Sequence, residues 1–408
     1  MSRVILGDIA ISQTGPFGSQ LHEEDYVSEG TPIVTVEHLG DTNFTHQNLP
    51  FISEADTKRL SKYILIEGDI VFSRVGSIDR NVYVDKNHEG WMFSGRCIRV
   101  RADKNKVNPR YLSYYFKQNS FKKMMMNLAV GATMPSLNTK IMNSIELDLL
   151  PRESQDKIAN ILSAIDDKIQ INNQINQELE AMAKTLYDYW FVQFDFPDQN
   201  GNPYKSSGGK MVYNPELKRE IPEGWGVEKL GDISQYVSEK VDSFELNIEN
   251  YVGTDNMIAD MGGIELTTSI PKSGTSTKFS AGDILISNIR PYFKKIWLSD
   301  RTGGCSADVL CIRTNRTIPK EFIYATLARD DFFNYDVAGS KGSKMPRGDK
   351  KHIMEYPIVF EFGIAEQYSK IVKPIYEGVH ENNNQNQELT QLRDWLLPML
   401  MNGQVQVE

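Results

Sequence analysis

Asn176-Gln177-Glu178-Leu179 recurs 210 residues later as Asn386-Gln387-Glu388-Leu389, and each copy lies inside a long stretch with helical hydrophobic spacing. In the first stretch Ile158, Leu162, Ile165, Ile169, Asn172, Asn176, Leu179, Ala183, Leu186 and Trp190 are separated by alternating steps of four and three. That is an a/d seam carried for more than four heptads, the signature of a coiled-coil helix. Tyr368, Val372, Ile375, Val379, Asn382, Asn386, Leu389, Arg393, Leu396 and Leu400 trace the same seam in the second stretch. Asn at a seam position weakens a coil but fixes register and partner, so the matched Asn172/Asn176 and Asn382/Asn386 layers predict that the two helices pack on each other. Pro374 and Gly378 are expected to disturb the second helix locally.

Working outward from the helices, three further matches keep the same order at a similar offset. Leu6-Gly7-Asp8-Ile9 returns as Leu230-Gly231-Asp232-Ile233, and Gly68-Asp69-Ile70-Val71-Phe72-Ser73 returns as Gly282-Asp283-Ile284-Leu285-Ile286-Ser287. Gly131-Ala132-Thr133-Met134-Pro135 aligns with Gly342-Ser343-Lys344-Met345-Pro346. A Gly-Asp pair before a β-branched run is an ordinary turn into a strand, but four ordered matches define a duplicated unit: a globular block followed by a long helix. Short β-rich runs (70–72, 97–100, 284–286, 309–312) and helix-like stretches (109–127, 319–334) give each block an α+β character. The expected organisation is a block at 1–150, a helix at 151–193, a Gly/Pro/Ser-rich linker at 194–226, a second block at 227–360 and a second helix at 361–403.

The chain has 408 residues, 40% of them hydrophobic and 24% charged, which suits several folded cores and excludes a disordered or fibrous polymer. No run of 18 apolar residues and no signal-like N-terminus occur, and three cysteines (Cys97, Cys305, Cys311) form no C-x-x-C pair. A cytoplasmic chain without membrane association is therefore expected. The net charge of −9 is unevenly spread. Residues 1–150 carry 17 basic and 17 acidic side chains, and residues 201–360 carry 21 of each. Residues 151–200 hold 4 against 9, and residues 361–408 hold 3 against 7. The two blocks are balanced and the two helices acidic, so the chain has at least two kinds of surface and its overall charge describes neither.

Motifs for catalysis are missing. There is no phosphate-binding G-x-x-x-x-G-K-[ST], no H-E-x-x-H and no G-x-S-x-G; the six histidines are scattered, and isolated surface positions are their expected setting. Arg290-Pro291-Tyr292-Phe293 imitates the Pro-aromatic motif of amino-methyltransferases but lacks the carboxamide that would hold the target amine. What remains is basic and polar clustering at equivalent repeat positions. Ser73, Arg74, Ser77 and Arg80 follow the first Gly-Asp strand, and Lys117, Lys122 and Lys123 precede the Gly131–Asn138 loop, which holds Thr133, Ser136 and Asn138. Asn288, Arg290, Tyr292, Lys294 and Lys295 follow the second Gly-Asp strand, and Lys341, Lys344, Arg347, Lys350 and Lys351 crowd the matching loop. Arg, Lys and Asn on loops at strand ends serve phosphate contacts and base-edge readout, so these are the candidate DNA-binding residues. The candidate helix-pairing residues are Ile165, Ile169, Asn172, Asn176, Leu179, Ile375, Val379, Asn382, Asn386 and Leu389.

Gln155-Asp156-Lys157-Ile158-Ala159 opens the first helix and Trp190-Phe191-Val192-Gln193-Phe194-Asp195-Phe196-Pro197 closes it. Tyr204-Lys205-Ser206-Ser207-Gly208-Gly209-Lys210-Met211 and Ile221-Pro222-Glu223-Gly224-Trp225 then lead into the second Leu-Gly-Asp-Ile. In these segments the whole chain resembles the DNA-specificity (S) subunits of type I restriction-modification enzymes. The resemblance implies two target-recognition domains in tandem, each reading half of a split double-stranded DNA site, and an antiparallel coiled coil that spaces them. It further implies docking of two methyltransferase (M) subunits and of restriction/translocase (R) subunits. On that reading the chain is non-catalytic and carries no cofactor, with SAM, ATP and Mg²⁺ on the partners. A coiled-coil scaffold that binds proteins without reading DNA would share the repeats, and a stand-alone nucleic-acid enzyme would need the catalytic motifs that are missing.

Overall fold

The computed structural model describes residues 1–129 and 135–405. The chain divides into two compact units that do not follow chain order: unit 1 comprises Met1–Gln170 with Glu388–Glu408, and unit 2 comprises Ile171–Gln387. Both boundaries fall inside the two long helices, Arg152–Tyr187 and Phe362–Met401, so each unit owns a block and a stretch of both helices. Among the described residues no helix is long and apolar enough to cross a membrane.

In unit 1, β1 (Ser2–Ile5) pairs antiparallel with β6 (Glu146–Leu149), and β2 (Ala10–Thr14), β5 (Cys97–Ala102), β3 (Asp69–Ser73) and β4 (Asn81–Tyr83) form an antiparallel sheet in the order β2-β5-β3-β4. Unit 2 repeats this plan. Its β7 (Gly226–Lys229) pairs with β12 (Pro357–Phe360), and β8 (Ser234–Tyr236), β11 (Val309–Thr314), β9 (Ile284–Ser287) and β10 (Ile296–Leu298) form a sheet in the order β8-β11-β9-β10. Each unit adds a second four-stranded sheet of shorter strands and three matching helices: Pro109–Lys117, Asn119–Leu128 and Thr139–Asn143 in unit 1, which also has the short helix Glu54–Arg59, and Lys320–Leu327, Asp330–Gly339 and Lys350–Met354 in unit 2. Asn108 caps the first of these, accepting from the backbone N–H of Arg110 and Tyr111 ahead of Pro109 at the first helical position.

The repeated tetrapeptide Leu-Gly-Asp-Ile is one helical turn in both units, with Leu6 and Leu230 fully buried. Its backbone is tied at the same place: Leu6 N–H donates to Ile145 O (2.8 Å) and Leu230 N–H to Tyr356 O (2.9 Å). Close approach favours the glycine, since a Cβ on Gly7 would lie 2.9 Å from Asn143 O and one on Gly231 would press on Met354 O at 3.2 Å. The Gly-Asp motif is structural as well. Gly68 and Gly282 turn at φ +97° and +94°, which admits glycine without strain. The following aspartate is buried under the sheet and held bidentately by an arginine of the neighbouring strand. Arg101 Nε and Nη2 reach Asp69 at 2.7 and 2.6 Å, and Arg313 Nε and Nη2 reach Asp283 at 2.7 Å each.

Within unit 2 the two long helices run antiparallel, because residues that ascend on one meet residues that descend on the other. Asn172 donates to Asn386 Oδ1 (2.9 Å) and Gln385 Oε1 (2.8 Å), Asn176 donates to Asn383 Oδ1 (2.8 Å), and further along Tyr368 Oη donates to Ala183 O (3.1 Å). Unit 1 shows the same sense: Arg393 Nη1 bonds Asp166 Oδ1 (3.0 Å), and Ile158 and Leu162 share a core with Leu400 and Met401. The disturbance expected at Pro374 and Gly378 is not seen, since the second long helix runs unbroken from Phe362 to Met401. Gly378 faces Leu179, whose Cδ1 would stand at an ordinary contact distance of 3.6 Å from an added Cβ. Val379 is buried; Ile165, Ile169, Leu179, Ile375 and Leu389 are half-buried along the seam.

Residues 194–226, linker-like in composition, are folded into unit 2. Phe194, Phe196, Ile221 and Trp225 are buried; Phe196 stacks on Trp225 (5.0 Å) and Tyr204 (4.7 Å), and Met211–Asn214 pairs with Arg219–Pro222 as a hairpin. Four apolar anchors outweigh the glycines and prolines, which serve the tight turns between them.

Candidate nucleic-acid interface

In each unit the segment leaving the Gly-Asp strand lies against the residues that follow the repeated Met-Pro pair, Pro135–Leu137 in unit 1 and Pro346–Gly348 in unit 2. In unit 1 Val75 bridges Ser136, Gly76 N–H donates to Pro135 O (3.0 Å) and Leu137 N–H donates to Arg74 O (2.9 Å). In unit 2 Ile289 bridges Arg347, Arg290 N–H donates to Pro346 O (2.8 Å) and Gly348 N–H donates to Asn288 O (3.1 Å). The hydrogen bonds are equivalent one by one, whereas the side chains differ. Arg290 thus occupies the place of Gly76, and both are left-handed, at φ +52° and +81°. Glycine takes that conformation freely; in an arginine it costs about 1 kcal/mol or more.

The candidate residues of unit 2 divide between those facing outward and those used by the fold. Tyr292, Lys344 and Lys350 are exposed, Lys350 lying 5.9 Å from the Tyr236 ring. Lys294 pairs with Asp330 (2.6 Å), Lys341 with Asp349 (2.6 Å) and Arg347 with Asp308 (3.1 Å). Lys341 and Arg347 are exposed, so their pairs are weak and exchangeable for phosphate. Arg290 sits over the Phe293 ring at 6.0 Å, and its Nε is buried with no hydrogen-bond partner among the described residues. Asn288 is buried, its Oδ1 also unpartnered, next to Asp336, both of whose carboxylate oxygens are buried and unpartnered. The two residues crowd Gly348, where a Cβ would come 2.4 Å from Asp336 Oδ1 and 2.9 Å from Asn288 Oδ1. Burial pushes the Asp336 carboxyl up to about 6, the nearby His352 opposing it.

In unit 1 Arg80 and Lys123 are exposed, and Arg74 is half-buried, donating to Leu137 O (3.3 Å) and Gly95 O (3.1 Å) with its guanidinium 5.7 Å from the exposed Phe17 ring. Lys122 faces a cavity of about 510 Å³ lined also by Asp41, Tyr114, Lys117, Arg393 and Asp394, at the second long helix. Burial pushes the Lys117 ammonium down to about 8 there. Ser136 bridges Val75, and Thr133 lies outside the described residues. Three expected contact residues are buried or bonded within the fold. Ser73 is buried and donates its hydroxyl to Val75 O (3.1 Å), Asn138 caps the helix Thr139–Asn143 by accepting from Ile141 N–H (2.9 Å), and Asn288 is buried as described.

Sequence spacing missed two features. Phe17 and Phe293 were not among the candidates, yet both are exposed against an arginine of the strand exit. The histidines, expected apart, include a pair: His46 Nε2 lies 3.1 Å from His88 Nε2, and His88 Nδ1 lies 2.5 Å from Asp85 Oδ1. Burial and then the neighbouring His88 lower the His46 pKa. Forty-two positions separate the pair, so no motif reveals it. Among the described residues no group of three or more His, Cys, Asp or Glu side chains is placed to hold a metal.

Two α+β modules of one plan, each packing a strand exit against a loop and each joined to antiparallel helices, define a two-module protein. The comparisons agree with this class. Residues 2–181 match the family model described as the type I restriction modification DNA specificity domain. The MjaIX specificity subunit of Methanocaldococcus jannaschii is 26% identical, covering 94% of this chain and 89% of that relative. The HindI specificity subunit of Haemophilus influenzae is 24% identical over 92% of this chain and 95% of that relative. A crystal structure of a type I restriction-modification system S subunit from M. genitalium shares the fold, with a TM-score of 0.58 at 16% identity, covering 98% of this chain and 96% of that one. The first part of the chain thus carries the type I restriction modification DNA specificity domain, and nearly the whole chain is similar to type I restriction enzyme specificity subunits.

Proposed function

We propose that this chain is the DNA-reading subunit of a type I restriction-modification complex, each unit reading one half of a split double-stranded site through its strand-exit and Met-Pro-loop face. The observation that carries this reading is the spatial repeat itself: Gly76 to Pro135 and Arg290 to Pro346 build the same backbone platform, and different side chains stand on it. A common platform with divergent side chains suits two readers of different half-sequences in one frame. The chain supplies binding and no catalytic group. Two methyltransferase subunits would bring SAM, and restriction subunits ATP and Mg²⁺. Methylome sequencing of a host with and without the gene tests this: one bipartite methylated motif should vanish on deletion, and an unchanged methylome overturns the reading.

A further inference from the structure

The turn at Arg290–Lys294 in unit 2 is built more stiffly than a surface loop needs. Arg290 and Lys294 are both left-handed (φ +52° and +51°) and bracket a tight turn of Pro291, Tyr292 and Phe293. Asp260 and Met261, left-handed at +53° and +65°, clamp it from outside: Asp260 N–H donates to Phe293 O and Met261 N–H to Lys294 O, each at 2.9 Å. Arg290 N–H to Pro346 O, Lys294 Nζ to Asp330 and Lys295 Nζ to Thr254 O (2.7 Å) complete the clamp. Four non-glycine residues held in a disfavoured conformation persist only where the surroundings over-determine them, and such strain gathers at binding sites. Unit 1 reaches the equivalent platform with Gly76 and no such strain at that position.

The clamp holds two aromatic rings outward. Tyr292 is 47% exposed and Phe293 40% exposed, with centroids 4.8 Å apart and the Arg290 guanidinium over Phe293. The turn carries Arg290, with Arg347 bridged to the preceding Ile289, against Asp260 and the Lys294-paired Asp330, so its tip pairs exposed rings with an arginine, a combination suited to a nucleic acid. Apolar wedges of this kind enter between base steps, and pyrimidine–purine steps yield most easily. We infer that Tyr292 and Phe293 form a wedge that opens a base step in the half-site read by unit 2, with Arg290 beside it at a base edge, so that this half-site is selected partly by deformability. The inference rests on the DNA-reading function proposed above.

The test uses the full chain in a host lacking its own copy, with motifs read from the methylome, and then purified full chain titrated on a duplex carrying 2-aminopurine within the motif so found. Wild type should raise the 2-aminopurine fluorescence in one half-site. Phe293→Ala with Tyr292→Ala should abolish that rise and relax one or two adjacent positions of the same half-site by roughly tenfold or more, leaving the other half unchanged; Phe293→Leu should retain both. Arg290→Gly supplies a readout that a folding role cannot imitate: the chain should melt at a higher temperature while its selectivity in that half-site falls. A double alanine variant with the wild-type motif and fluorescence overturns the wedge and leaves the DNA reader standing. Loss of methylation with selective duplex binding intact would mark the turn as a protein contact and equally overturn the wedge. Absence of any bipartite motif with wild-type chain strikes the underlying function instead.

Discussion

Asn382 donates its side-chain amide to Asn176 Oδ1 over 2.8 Å, across the two long helices, while Asn176 donates onward to Asn383. A polar layer of this kind stabilises one register because any slip leaves its amides facing apolar side chains. Asn176→Ala should cost about 1–3 kcal/mol, since it strands partners on the facing helix. Replacing both Asn176 and Asn382 by Leu should recover or exceed the wild-type urea midpoint while allowing alternative pairings, seen as added oligomers by size-exclusion chromatography. An unaltered midpoint in the alanine variant would mean the layer holds nothing.

The Asp283–Arg313 pair and its counterpart Asp69–Arg101 lie under the sheets with the carboxylates buried. Hydrogen bonds to Asp283 hold the Arg313 guanidinium above its ordinary pKa. Asp283→Asn removes the counter-charge and should destabilise unit 2 by roughly 3 kcal/mol. Calorimetry of the full chain should show that loss as a lower melting temperature, and no change would assign the repeated aspartate to something other than stability.

These motifs show where sequence reading reached and where it stopped. Leu6-Gly7-Asp8-Ile9 and Gly68-Asp69 were visible as repeats because each residue answers a local demand: a buried turn, a close approach, a positive φ, an ion pair to the next strand. The a/d spacing around Asn172 and Asn176 likewise revealed the paired helices. The interface was legible only as a neighbourhood. Whether Ser73 points inward or Arg80 outward depends on one step of strand alternation and on which loop folds over the strand exit, and Asn138 reads equally as a DNA contact or a helix cap. Phe194, Phe196 and Trp225 were masked by the glycines and prolines around them, whose turns serve a packed segment as readily as a linker.

Asp336 gives a pH signature. Its carboxyl, ordinarily near 3.8, is pushed up to about 6 by burial. Between those values the folded chain holds a proton that the unfolded chain has released, so stability should fall as pH rises from about 4 to about 6. The loss, up to about 3 kcal/mol, then persists at higher pH. Asp336→Asn should therefore melt above wild type at pH 8, with the gap closing towards pH 4. An equal gap at both pH values would contradict the assignment.

Lys344 is exposed, whereas Lys341 and Arg347 on the same loop are ion-paired. If Lys344 meets a phosphate, Lys344→Ala should weaken DNA binding equally across sequences and flatten the slope of log K against log salt by roughly one. A change in sequence preference would place it at a base instead.

Exchanging residues 227–350 for the matching block of another family member should change one half of the methylated motif and leave the other. Simultaneous change in both halves would refute independent readers.

The last turns of the second long helix, at Leu400 and Met401, complete the core that holds Ile158 and Leu162, while unit 2 is one unbroken stretch from Ile171 to Gln387. On a translating ribosome the module made first is therefore the one completed last. Its apolar stripe must wait for the roughly 217 residues of unit 2 and then for Glu388 onward, on the order of 10–40 s of elongation at ordinary rates. Unit 2 has all of its chain as soon as Gln387 leaves the exit tunnel. A released chain truncated after Gln387 should accordingly resist protease across unit 2 and be cut in residues 1–170, with chaperones drawn to the older half of the polypeptide.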